Sequence, residues 1–94
     1  MYILRIEHAV SNFDGWKKAF DSDPVGREKS GVRRYRIMRP VDDPQYIMID
    51  LEFESTSHAE AVLAAMRDVW GRVQGKIIFK LQARIVEAVE TKEY

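Results

Sequence analysis

The hydrophobic positions change their period along the chain, and the changes mark six elements. Tyr2–Val10 alternates as a strand does, with Leu4, Ile6, His8 and Val10 on one side and Ile3, Arg5, Glu7 and Ala9 on the other. Phe13, Trp16 and Phe20 then recur at helical spacing, so one stripe of the first helix is aromatic. Ser11 or Asn12 is placed to cap that helix, and Asp23-Pro24 to end it. Residues 25–31 form a polar connector with bends at Gly26 and Gly31. Residues 32–38 and 46–53 read as a hairpin around Asp42-Asp43-Pro44. Ser57, with Glu60 three residues later, makes a capping box for a second helix. Its apolar stripe is Ala59, Val62, Leu63, Met66 and Trp70, and Gly71 is expected to stop it. Residues 77–89 alternate again, with Leu81, Ala83 and Ile85 opposite Lys80, Gln82 and Arg84. That last strand is longer than the usual run of about 5–6 residues.

Charge selects the register of the hairpin. Pairing Arg34 with Glu52 and Arg36 with Asp50 also pairs Tyr35 with Leu51 and Ile37 with Ile49, so both faces are satisfied. A slip by one residue sets each arginine against an apolar partner. The order strand, helix, strand, strand, helix, strand is the split βαβ, ferredoxin-like arrangement, α+β in class, with a four-stranded antiparallel sheet. Both helices are expected on the sheet face that carries Leu4, Ile6, Tyr35, Ile49, Leu51, Leu81 and Ile85. The other face carries Arg5, Glu7, Arg34, Arg36, Asp50, Glu52 and Arg84, sprinkled with Ile3, Met38, Met48 and Val86. Mixed charge with apolar residues on one face, and a long strand at a sheet edge, both favour a two-fold homodimer.

The run Ile6-Glu7-His8-Ala9-Val10 followed by Asn12-Phe13-Asp14-Gly15-Trp16-Lys17, set in this order of elements, resembles the dimeric α+β barrel superfamily over nearly the whole chain. That superfamily includes antibiotic-biosynthesis-type monooxygenases, small haem-degrading proteins, polyketide cyclases and lactone isomerases. The resemblance implies a dimeric barrel and leaves the activity open among these. The Asn–Trp–Arg style constellation of the monooxygenases has no position-by-position match here, so no catalytic residue is carried over.

Composition narrows the field. A chain of 94 residues is expected to form one domain spanning 1–94. Fifteen basic residues balance fifteen acidic ones, which disfavours a phosphate-gripping nucleic-acid binder. An RNA-recognition module shares the order of elements, but it stacks bases on sheet aromatics that the charged face lacks. The absence of cysteine excludes disulfides, thiolate metal sites and cysteine nucleophiles. A strand beginning at Tyr2 and the lack of any apolar run of about 18 residues lead to the expectation of a soluble, cytoplasmic chain with no membrane partner. Phosphate-loop, dinucleotide-binding, serine-esterase and zinc-protease motifs are all missing. Neither a metal nor another cofactor is expected.

His8 interrupts the helix-facing side of the first strand and is the candidate catalytic residue, as a general acid or base. The competing reading is a structural histidine bonded to backbone or to Tyr35. Trp16, Tyr35 and Trp70 are candidates to line an aromatic cleft between sheet and helices, against the alternative of plain core packing. Residues 27–39 hold six basic side chains against Glu28, a net +5. Within it Arg27 and Arg33 lack an assigned partner and are candidate contacts for an anionic ligand, whereas the hairpin register gives Arg34 and Arg36 acidic partners. Those same arginines argue against a proton-sharing pair of Asp50 and Glu52. His58, in the first turn of the second helix, is read as surface. The expected function is binding of a small hydrophobic or aromatic molecule in a sheet–helix cleft by a homodimer. The alternative is a cofactor-independent monooxygenase or polyketide-cyclase-like enzyme.

Overall fold

All six elements form in the expected order. A computed structural model of the chain describes residues 1–73 and 78–94. The strands are β1 (Tyr2–Val10), β2 (Arg34–Met38), β3 (Tyr46–Phe53) and β4 (Ile78–Glu87), with helices α1 (Phe13–Asp21) and α2 (Thr56–Val73). They make one antiparallel sheet in the order β2-β3-β1-β4, which is the ferredoxin-like arrangement. β4 is an edge strand. No described helix is long and apolar enough to cross a membrane.

The core lies on one face of the sheet. Leu4 and Ile6 of β1 and Ile47, Ile49, Leu51 and Phe53 of β3 are buried there. Trp16 and Phe20 of α1 and Ala59, Val62 and Trp70 of α2 cover them, because both helices turn their apolar stripes to the same side. Asn12 caps α1, its side-chain oxygen accepting from the Gly15 N–H at 2.8 Å. Gly26 and Gly31 in the connector have φ of 67° and 100°, as bends of that kind require. At Gly31 a side chain would meet the His58 ring at 3.0 Å, so the connector packs closely on the start of α2.

Four details differ from expectation. The cap of α2 is Ser55, not Ser57: the Ser55 Oγ accepts from the His58 N–H at 3.3 Å and lies 2.9 Å from His58 Nδ1, while Ser57 lies inside the helix. α2 also runs past Gly71 to Val73, since Gly71 keeps helical backbone with open space around it. The hairpin has the expected register, but β2 starts at Arg34 rather than Val32. Val32 instead drops into the core, 8% exposed, behind the Arg33 N–H bonded to the Glu52 carbonyl. Of the long last strand, Ile77 lies outside the described residues, and Ala88 and Val89 follow the strand end.

Part of the length of β4 is a bulge. Glu7 pairs with Gln82 but Ala9 pairs with Phe79, so Lys80 and Leu81 together oppose His8. Lys80 takes the left-handed conformation at φ 58°. Below the bulge the alternation is inverted: Ile78, opposite Val10, is buried in the core, and Phe79, opposite Ala9, is 37% exposed.

Candidate functional site

β1 brings His8 under the helices at 1% exposure. Its Nδ1 lies 3.2 Å from the Ala9 carbonyl, which only accepts, so Nδ1 carries the proton of the neutral ring and Nε2 is left as an acceptor. Among the described residues Nε2 makes no hydrogen bond, and as no buried side-chain nitrogen or oxygen there is left unpaired, Nε2 retains access to the cavity that His8 lines. Burial holds the imidazole below its ordinary pKa, outweighing the opposing pull of the Ala9 carbonyl. His8 is therefore neutral at physiological pH.

The helical spacing of α1 then builds an aromatic wall. The Trp16 ring meets His8 edge-on at 5.8 Å between centroids, and Phe20 follows Trp16 at 5.3 Å. Tyr35 meets Phe20 edge-on at 5.1 Å. Behind this wall lies a cavity of about 100 Å³, partly open to the surface and almost wholly apolar. His8, Trp16, Phe20, Met66 and Trp70 line it, together with Ile78, which the bulge turns inward. Arg27 is the one charged side chain on its wall among the described residues.

Arg27 reaches the cavity because the chain reverses at Asp23, which adopts φ 53° after α1 and accepts the Arg27 N–H on its carboxylate at 2.9 Å. The guanidinium lies 3.8 Å over the Phe20 ring and 5.1 Å from the Tyr35 ring. Its Nη1 donates to the Phe20 carbonyl at 2.9 Å and stands 3.5 Å from Asp23 Oδ1. Beyond it is a polar surface groove of about 380 Å³ walled by Asp23, Glu28, Val32, Arg33, Arg34 and Tyr35.

Of the candidate site residues, the fold thus gathers His8, Trp16, Trp70 and Arg27 around one cavity. Tyr35 and Arg33 stand outside it, in the groove. Tyr35 has the core side of β2 but is 44% exposed: β2 is an edge strand, and Phe20 and Arg27 cover the ring in part. Neither loop arginine is without an acid: Arg27 has Asp23, and Arg33 stands 3.6 Å from Glu54. Arg34 binds Glu52 as the register requires. Arg36, by contrast, loses Asp50 to Arg5, which grips both its oxygens at 2.8 and 2.7 Å from the other neighbouring strand. Pro24 and Val25 also line the cavity, and the only sequence sign of this is an apolar pair in a polar connector. Among the described residues no three His, Asp or Glu side chains are set to hold a metal.

Solved structures place this architecture. A variant of MhuD with two manganese protoporphyrin IX molecules per active site superimposes with a TM-score of 0.71 at 17% identity, covering 100% of both chains. A dimeric ferredoxin-like protein from an uncultured marine organism gives 0.70 at 11% identity, again over 100% of both chains. The fold is that of the dimeric ferredoxin-like proteins. An antibiotic-biosynthesis-monooxygenase-like protein from Deinococcus radiodurans also matches, with a TM-score of 0.70 at 14% identity over 100% of this chain and 98% of its own. At such identities the likeness is one of fold. No protein-family model matches the chain, and no curated protein matches it by sequence.

Proposed function

We propose that this ferredoxin-like chain works as a homodimer that binds a small hydrophobic or aromatic molecule in the cavity between sheet and helices. The observation that carries the reading is the apolar cavity with a single neutral imidazole on its wall, since small-molecule sites are commonly apolar hollows with few polar groups. Dimerisation is supported by the free edge of β4, by the mixed outer face of the sheet, and by the likeness to dimeric ferredoxin-like proteins. Size limits the ligand. At about 100 Å³ the cavity is smaller than the ~150 Å³ void that admits benzene, so one ring seated partly in its mouth is the upper bound. The protoporphyrin carried by the MhuD variant does not fit: a four-ring macrocycle would displace both Trp16 and Trp70.

Both tryptophans of the chain line the cavity, so their emission reports its occupancy. Titration with phenylacetamide is expected to give a saturable change, abolished in Val69→Phe, which fills the cavity from α2. No saturable change in the wild-type protein would overturn the reading. Native mass spectrometry is the check on the dimer, and a clean monomer removes that part.

The neutral acceptor at His8 favours a second reading, a cofactor-independent monooxygenase or polyketide-cyclase-like enzyme. An imidazole held neutral can take a proton from an acidic hydroxyl or carbon of a bound molecule. Conversion of a bound ligand that is lost in His8→Gln with binding retained would establish it; binding without conversion leaves the first reading.

A further inference from the structure

The guanidinium of Arg27 uses its face and one corner, and leaves an edge free. Its face lies 3.8 Å over Phe20, and Nη1 serves the Phe20 carbonyl and Asp23. A guanidinium carries five donors in a fixed plane. Among the described residues only Nη1 is bonded, which leaves Nε and Nη2 as accessible donors, and together they form the two-donor fork that matches a carboxylate. The side chain is only 13% exposed, so the fork is held in place by its stacking rather than swept through solvent. It stands where the apolar cavity meets the polar groove, since Arg27 lines both.

We propose that Arg27 is the carboxylate anchor of the cavity, so that its ligand is a small monocarboxylic acid with the apolar end against Trp16 and Trp70. The proposal rests on the reading that the cavity binds a small apolar molecule. A single negative charge is what the surroundings accept. Arg33 and Arg34 already face Glu54 and Glu52, while Asp23 and Glu28 flank the groove and repel a dianion such as phosphate.

Phenylacetate and phenylacetamide share ring and shape and differ in the charge, so tryptophan emission titrations at pH 7 and low salt isolate the anchor. The wild-type protein is expected to prefer the acid by at least about tenfold, the range of a charge-assisted hydrogen-bonded pair. Arg27→Met is expected to lower phenylacetate affinity to that of the amide, and Arg27→Lys, which keeps the charge but lacks the fork, to leave a reduced preference. Arg67→Gln, an exposed arginine of α2 removed at the same cost in net charge, is expected to leave the preference intact. Equal wild-type affinities for the two probes would overturn the anchor while the cavity reading stands. Saturation by neither probe would overturn both. Because the acid–amide ratio is read on the wild-type protein, the outcome does not depend on the variants folding.

Discussion

The two faces of the sheet are built from the same strands yet bury different chemistry. On the helix-covered face β3 sends Ile47, Ile49, Leu51 and Phe53 into an apolar layer, with His8 of β1 as its one buried titratable group among the described residues. On the other face no helix lies over β3 among the described residues, and yet Asp50 and Glu52 are as inaccessible as core residues, at 4% and 6% exposure. Their cover is arginine. Arg5 chelates Asp50, and Arg34 holds Glu52 at 2.7 Å. One face is closed by volume and the other by charge, so they should fail in different ways.

The largest effect is expected where closure is by volume. Leu4 is fully buried between Leu51 and Ile85, and Leu4→Ala is expected to cost about 2–5 kcal/mol in chemical denaturation. A smaller loss belongs to the charged face. Arg5→Met takes both side-chain bonds from Asp50 and leaves it only Arg36, opposite on β2, for a loss of about 1–3 kcal/mol. Adding Asp50→Leu should recover most of that loss, because the cost lies in the orphaned acid rather than in the missing pair. A double variant no better than Arg5→Met would mean that the arginine stabilises mainly by packing, and the two faces would then be less distinct than drawn here.

The smallest effect is a slope. The folded chain holds His8 below its ordinary pKa, so at pH below ~6.5 the unfolded chain binds more protons and stability rises with pH. Acidification from pH 7 should therefore lower Tm through that window, and His8→Leu should flatten this part of the profile. An unchanged profile would mean that the imidazole is not the buried titrating group of the apolar face.

The order of elements, the hairpin register and the helix-facing stripe were legible because each is a short-range pattern. Arg34 opposite Glu52 and Tyr35 opposite Leu51 are decided within one hairpin. What escaped involves a third strand or a choice between equals. Asp50 sits in an interior strand with arginines on both sides, and the hairpin alone names Arg36 although Arg5 wins. Ser55 and Ser57 are chemically equivalent caps, and Ser55 is the one ahead of the first helical residue, Thr56. Gly71 is a stop only where the helix has no reason to continue. The grouping of His8, Trp16 and Trp70 around one cavity could be drawn from the stripes, since all three point between sheet and helices. The position of Arg27 could not, because it depends on a left-handed turn at Asp23, and aspartate declares no such turn in advance.

The inserted residue in β4 has a bearing on the cavity as well as on the strand. With Lys80 accommodated as a bulge, the branched side chain of Ile78 faces inward and the ring of Phe79 faces out. A ladder continued without the bulge would set Phe79 opposite Val10, exchanging an isoleucine for a benzyl group on the ligand side. In a hollow of about 100 Å³ the three extra carbons of the benzyl group would narrow the space beside His8 and Trp70. The alignment of two neighbouring strands thus bears on ligand room, and the wider form is kept at the conformational expense of one left-handed lysine.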